Sequence, residues 1–197
     1  LIAVIRVLFL RENEFILLIP KELSNLFLKR FKMFVLRSNV EIEDVSKKEH
    51  IFGFWGDIDS VECRVGESID FDNLTLFKTF NCNKLGPRFW IKSSIQNLHE
   101  EIIKLPIFAN ETLEIESVSS QMWLMSEMLC GIPWIFINST EKFTPQSVNL
   151  DLIDGVSFKK GCYPGQEVVA RLHFLGKNKK RVFLAEMLEV NLSINSK

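Results

Sequence analysis

The sequence predicts a mixed α+β fold, in which short apolar strands alternate with amphipathic helices. Two observations support this prediction. The apolar runs at residues 15–19 and 51–55 end at Pro20 and Gly56, as strands do. Residues 20–32 instead carry apolar side chains at helical spacing. With 47% hydrophobic residues among 197, the chain can bury a core as one large or two small domains.

The first half of the chain reads as two related β-α halves. A β-hairpin explains residues 1–19 better than a signal peptide, because no small-residue cleavage site follows the first apolar run. The other predictions are a helix at 20–32, strands at 34–36 and 40–45, strands at 51–55, 75–82 and 88–92, and a helix at 94–104. The strand-then-helix order occurs twice, which indicates a split β-α-β arrangement of ferredoxin-like type.

The second half contains two helices. Ser119 and Ser120 can cap a helix over 121–130, and Gly131 suits its C-terminal cap. A short strand at 135–137 and a polar surface connection over 139–154 are expected next. A second helix begins at Gly165, and residues 176–180 link it to a last strand over 181–190.

Composition argues against several classes of function. The net charge of −1 provides no global field that would attract nucleic acid or an anionic membrane, so neither is an expected partner. The basic run at 177–181 is typical of a solvated loop. Scattered cysteines without metal or redox spacing suit a reducing compartment, and we expect no metal site. Three of them are predicted to be small buried hydrophobes: Cys63, Cys82 and Cys130.

Residues 158–167, Phe-Lys-Lys-Gly-Cys-Tyr-Pro-Gly-Gln-Glu, place Cys162 beside lysines and a helix start. Both features stabilise a thiolate, the reactive form of cysteine. The residues alone leave a nucleophile, a redox thiol, a cluster contact and a core side chain open for Cys162. One thiol cannot hold an iron–sulfur cluster, which usually needs four ligands. Arg171 lies four residues after Glu167, as in a helical ion pair.

Residues 156–171 resemble the signature of the YgfZ family, folate-binding relatives of the aminomethyltransferase (T-protein, GcvT) of the glycine cleavage system. Further similar segments are 34–40, 131–135, 143–146 and 149–150, with Gly176, Lys177, Lys180 and Arg181. The resemblance implies a T-protein-like α+β fold with the start of a C-terminal β-barrel. It divides the chain into an incomplete ferredoxin-like unit at 1–48, a folate-binding region at 49–176 and the barrel start at 177–197, with further sequence expected at both ends.

The resemblance also implies a function. It indicates a cytoplasmic tetrahydrofolate-binding accessory protein that supports iron–sulfur cluster assembly or repair and iron–sulfur-dependent tRNA modification. Its partners would be iron–sulfur enzymes such as radical tRNA-modifying enzymes. Cys162 would be the key thiol and Lys160 its electrostatic neighbour, and the folate contacts would be Trp134, Gln166, Glu167 and Arg171. We expect the segment around Trp134 and the signature to meet at one cavity.

Whether a reaction is catalysed stays open at this point. The alternative function is a folate-dependent aminomethyltransferase-like one-carbon transferase, and a third is a module that has lost ligand binding. Family members often carry an acidic residue two positions before the glycine that is Gly131 here. This chain has Leu129 at that position, with Glu127 two residues earlier.

Overall fold

The computed structural model describes residues 1–56, 63–105, 115–176 and 178–186. The chain divides into two compact units, Leu1–Phe143 and Thr144–Lys197. The predicted domain boundaries near 48 and 176 stay predictions. No helix among the described residues is long and apolar enough to cross a bilayer.

The first unit contains two antiparallel sheets. One is a hairpin of β1 and β2, and the other has four strands in the order β3-β6-β5-β4. The strands are β1 (Arg6–Arg11), β2 (Glu14–Leu18), β3 (His50–Trp55), β4 (Ser68–Phe71), β5 (Leu74–Lys78) and β6 (Arg88–Ser93). The helices of this unit are α1 (Ser24–Lys32), α2 (His99–Ile103) and α3 (Ser120–Leu129). The predicted α+β class is thereby confirmed.

Alternation along the central strands gives the four-stranded sheet two apolar faces. On β6, Phe89 and Ile91 point to one face, where they pack with Leu98 and Ile102 of the α2 region. Trp90 points to the other face and packs with Trp123 of α3 and with residues of the hairpin. Both faces of this sheet are therefore covered, and β5 and β6 are buried along nearly their whole length.

Helix α3 is positioned closely against β3 and ends at a glycine. A Cβ atom on Gly53 would overlap the indole ring of Trp123, so glycine permits this close approach. At the C-terminus, Gly131 adopts a left-handed conformation with φ of 71°. Its N–H donates to Met128 O and that of Ile132 to Glu127 O, each at 2.9 Å, which is a Schellman cap. The predicted cap is confirmed.

The second unit is built around α4 (Gln166–Phe174) and a short 3-10 turn, Gln146–Val148. Val169 of α4 is buried, together with Val148 and Leu150. The side chain of Gln146 is also buried, and its Nε2 donates to the backbone oxygen of Val169 at 2.7 Å. The connection over 139–154 is therefore partly core, although it was predicted to lie on the surface.

Several predicted elements are wrong, chiefly where an apolar run has no partner strand. Residues 34–36 and 40–45 are irregular, and Phe34, Leu36 and Val40 are more than half exposed. Residues 135–137 do not form a strand, since a 3-10 turn begins at Ile137. The helix predicted over 94–104 begins only at His99, and the strand over 75–82 ends at Lys78.

Two further differences concern strands. Strand β4 (Ser68–Phe71) was not predicted, because only its pairing with β5 identifies such a short segment as a strand. Residues 181–186 are irregular, contrary to the predicted last strand. The remainder of that predicted strand, 187–190, lies outside the described residues.

Candidate functional site

The signature segment forms an exposed loop that leads into α4. Cys162 and Lys160 are exposed, and the Lys160 ammonium lies 4.6 Å from the centroid of the Tyr163 ring. Gly165 precedes the helix with φ of 85°, a left-handed conformation that favours glycine. Gln166 Oε1 accepts a hydrogen bond from Tyr163 N at 3.3 Å. The loop therefore presents a thiol and an ammonium to solvent from a closed turn.

Helix α4 presents two further charged residues of the signature to solvent. Glu167 and Arg171 are exposed. Within the described residues, no ion pair joins these two side chains, although they are four positions apart. The expected helical ion pair is therefore not formed. In this geometry the Arg171 guanidinium is available to an anionic ligand.

The signature loop is also attached to the C-terminal end of α4. The ring of Phe158 stacks on that of His173, with centroids 3.6 Å apart and an angle of 14° between the planes. Phe174 meets Phe158 edge-on at 6.2 Å. These contacts bring the beginning of the loop to the end of the helix, so the loop is held at both ends of α4.

An ion pair holds the segments that flank the signature. Arg181 Nη1 and Nη2 donate to Asp151 Oδ1 and Oδ2 at 3.0 and 2.8 Å. Arg181 Nη1 also donates to Asn149 Oδ1 at 3.0 Å. The hydrogen bonds from Arg181 lower the pKa of Asp151, and the same bonds raise the pKa of Arg181. These residues build the framework of the second unit.

The carboxylate of Glu127 lies at the centre of a group of charged and aromatic side chains in the first unit. We call this group the Glu127 cluster; its members are Arg6, Arg88, Glu127 and Trp134. Glu127 and Arg88 are completely buried. Glu127 Oε1 accepts from Arg88 Nη2, and Oε2 accepts from Arg6 Nη2 at 2.8 Å and from Trp134 Nε1 at 3.1 Å. One carboxylate thus compensates two guanidinium groups, and the cluster retains one net positive charge.

Tryptophan rings complete the surroundings of both arginines. The Arg6 guanidinium lies 4.2 Å from the centroid of the Trp134 ring, and that of Arg88 lies 4.4 Å from Trp123. Burial lowers the pKa of Arg6, and the Glu127 carboxylate offsets part of this change. The Trp134 indole therefore already donates its N–H to Glu127, and one face of its ring contacts the Arg6 guanidinium.

Sequence reasoning missed the roles of Arg6, Arg88 and Glu127. The available signal was weak: Arg6 and Glu127 are the only charged residues of the apolar segments 1–10 and 120–129. Lone charges in two apolar elements indicate that the elements meet and that the charges pair. The sequence does not say which elements meet.

Unpaired polar atoms remain in the first unit. The buried Nε atoms of Arg6 and Arg88 and the indole nitrogens of Trp90 and Trp123 have no hydrogen-bond partner. Buried donors of this kind usually require a partner. Across the part of the chain that the structure describes, no three His, Cys, Asp or Glu side chains are grouped as metal ligands.

The structure therefore brings five of the six predicted site residues onto one loop and helix. These are Cys162, Lys160, Gln166, Glu167 and Arg171. Trp134 belongs to the other unit, in the Glu127 cluster. The single cavity predicted to join the two segments stays a prediction.

Comparison with known proteins gives matches to curated relatives, and a partial match of high identity is among them. The chain is 44% identical over 73 residues to a protein of Colwellia psychrerythraea named tRNA-modifying protein YgfZ. The matching stretch is 37% of this chain and only 22% of the relative. No family model matches the chain, and no solved structure matches it. The partial match confirms the resemblance to the YgfZ family.

Proposed function

We propose, on the basis of this YgfZ relationship, that the protein binds tetrahydrofolate and supports iron–sulfur cluster assembly or repair. Through this role it would sustain tRNA modification by iron–sulfur enzymes, including radical enzymes, in a reducing cytoplasm. The observation that carries the proposal is the Lys-Gly-Cys-Tyr-Pro-Gly-Gln-Glu signature at 160–167 in a chain that matches a tRNA-modifying relative. A T-protein-like arrangement of ferredoxin-like halves and a C-terminal barrel is part of the proposal.

The exposed cations of the signature fit the tail of a folate. That tail carries two carboxylates, and charge-assisted hydrogen bonds are the strong ones in such recognition. Lys160 and Arg171 are exposed and form no ion pair with any described residue. Neither cation would therefore have to break an ion pair with a described residue in order to bind a carboxylate. We assign Gln166 and Glu167 as further polar contacts.

The planar ring of folate requires an aromatic surface and a few fixed polar groups. Trp134 supplies an aromatic side chain that is held in orientation by Glu127, and its indole is half-buried. We assign it as the ring contact. When bound, the folate supplies one-carbon chemistry, and the residues of this chain bind and orient it.

Titration of the full-length protein with tetrahydrofolate tests the proposal. We expect binding by calorimetry, with an affinity that falls only partly at high salt, because tail pairing is screened and ring stacking is not. Lys160→Gln should weaken binding about tenfold or more, since a hydrogen bond to a charged group contributes roughly 1.5–3 kcal/mol. Lys159→Gln, the same charge change one residue earlier, is the control and should leave the affinity nearly unchanged.

Two results would contradict the proposal. Absence of tetrahydrofolate binding by the folded full-length protein would favour a module without a ligand. Transfer of a one-carbon group from a folate substrate, measured in a methylene-transfer assay, would favour an aminomethyltransferase-like enzyme instead. Support of iron–sulfur enzymes is measured separately, from modified tRNA nucleosides in cells that carry Cys162→Ala.

A further inference from the structure

Two further thiols, those of Cys82 and Cys130, belong to the first unit and are far along the chain from Cys162. Cys130 is the C-terminal cap of α3, and its Sγ lies 3.6 Å from Asn81 O. Cys82, the residue after Asn81, lies close enough to Cys130 to contribute to the raised pKa of its thiol. Forty-eight residues separate the two cysteines (130 − 82), so only the fold brings them together.

Both cysteines lie at the ends of secondary structure. Cys82 lies at the start of a tight turn, where Cys82 N donates to Gly86 O at 3.1 Å and Gly86 N donates to Cys82 O at 2.7 Å. Cys130 is followed by Gly131, which has the left-handed conformation of the helix cap. A disulfide requires Cα atoms within about 7 Å and Cβ atoms that face each other. Positions at element ends can adjust to this geometry more easily than positions inside a strand or helix.

The surroundings distinguish the two thiols chemically. Arg88 Nη1 donates to Cys130 Sγ at 3.1 Å, and this contact favours a thiolate. Cys130 is partly exposed, whereas Cys82 is buried. Cys130 is therefore the thiol that is more accessible to an external oxidant, and Cys82 is its buried neighbour.

We propose that Cys82 and Cys130 form a site of reversible oxidation, which a hydroperoxide converts to a disulfide. The Cys130 thiolate attacks one peroxide oxygen, the O–O bond breaks, and Cys130 becomes a sulfenic acid while the peroxide is reduced. Cys82 then attacks the Cys130 sulfur, the S–S bond forms, and the sulfenic hydroxyl leaves with the Cys82 proton as water. With hydrogen peroxide, two thiols give one disulfide and two waters.

The pH dependence of the first step follows from the groups that face Cys130. Burial raises the pKa of the Cys130 thiol, Arg88 on β6 opposes this change, and Cys82 adds to it. Glu127 faces the same guanidinium from α3. A raised pKa means that the thiolate is a minor species near neutral pH. The rate of oxidation should therefore rise about tenfold per pH unit until the pH approaches that pKa.

The site is coupled to the Glu127 cluster through Arg88. The same guanidinium donates to Cys130 Sγ through Nη1 and to Glu127 through Nη2. Disulfide formation draws the Cys130 sulfur toward Cys82 and removes the thiolate acceptor from Arg88. We therefore expect a change in tryptophan fluorescence on oxidation, because Trp134 donates to Glu127.

The experiment uses the whole chain with Cys63 and Cys162 replaced by serine, so that only Cys82 and Cys130 remain. Hydrogen peroxide should lower the intact mass by two hydrogens, and dithiothreitol should restore it. Proteolytic mapping should show one peptide pair, joined through residues 82 and 130. Additional Cys82→Ser should abolish the cross-link and leave a Cys130 sulfenic acid that dimedone labels.

Three results would overturn the inference. The first is a gain of oxygen without a cross-link while both cysteines are present. The second is a cross-link that forms only between different molecules. The third is dimedone labelling of Cys130 that is as extensive with Cys82 present as with Cys82 replaced. Should the serine variants fail to fold, the same peptide mapping on the wild-type chain decides the question. There, a disulfide that joins residue 82 to residue 130 supports the inference, and its absence contradicts it.

Discussion

The Glu127 cluster and the signature loop use charged residues in opposite ways. In the cluster, the Arg88 guanidinium and the Glu127 carboxylate are completely buried, the Arg6 guanidinium is partly buried, and both guanidinium groups donate to the carboxylate. In the loop and in α4 after it, Lys160, Cys162 and Arg171 are exposed, and neither cation has an ion-pair partner among the described residues. Removing one buried partner leaves an uncompensated charge, whereas an exposed charge remains solvated. The stability of the protein should therefore depend on the Glu127 cluster, whereas its ligand chemistry should depend on the loop.

The largest expected effect is that of Glu127→Gln. The change removes the carboxylate to which Arg6 and Arg88 both donate. It should lower the free energy of unfolding by about 3–5 kcal/mol, the usual cost of breaking a buried ion pair. Urea unfolding at neutral pH measures it. The matched triple variant Arg6→Met, Arg88→Met, Glu127→Leu should lose less, and an unchanged urea midpoint for Glu127→Gln would refute the structural role.

A steric pair gives the next largest effect. Gly53→Ala places a methyl group against the Trp123 indole, so one element must shift. We expect a loss of about 1–3 kcal/mol, as for other overpacked sites. Gly161→Ala in the signature loop is the control, because nothing lies within 4 Å of the added Cβ. Equal thermal shifts for the two variants would show that Trp123 does not pack on β3 as described.

An acid titration tests the framework around the signature. Arg181 holds the pKa of Asp151 below its usual value of about 4, so the ionised pair stabilises the second unit above that pH. This contribution is lost as the pH falls through the lower folded-state pKa. Asp151→Asn should therefore lower the melting temperature at neutral pH, and the difference should vanish in strong acid. Asp154→Asn, which removes a carboxylate from an exposed position of the same unit, is the control.

Cys162→Ala should have the smallest effect on stability and the largest on function. Since the side chain is exposed, the loss should stay within about 1 kcal/mol. Under the proposed function, Cys162→Ala should abolish support of iron–sulfur enzymes, measured from modified tRNA nucleosides in cells, while Cys63→Ala retains it. A collapse of the thermal transition would show that Cys162 packs in a core.

Reactivity of the four thiols provides a further test of the loop. Competitive alkylation at neutral pH, read by mass spectrometry, should label Cys162 before Cys63, Cys82 and Cys130. Burial raises the pKa of both Cys63 and Cys130, which reduces their thiolate fractions. Equal or slower labelling of Cys162 would remove the electrostatic argument for its role.

Local patterns predicted much of the fold. The hairpin, the strands β3 and β6, the helices α1, α3 and α4 and the cap at Gly131 all follow from short-range periodicity and punctuation. The predicted strands at 34–36 and 40–45 failed for a physical reason. A strand is completed by hydrogen bonds to a partner strand, and neither segment has a partner strand in the described structure.

The sequence by itself determined the α+β class, the signature at 156–171 and the exposed turn that presents Cys162, because each depends on residues close together in the chain. Only the tertiary structure decided which distant groups meet. Arg6 and Glu127 are 121 residues apart, and Arg88 and Cys130 are 42 apart. Such pairs form because burying a charge requires a partner from whichever element packs against it. That choice depends on the packing of the whole unit, which no local pattern encodes.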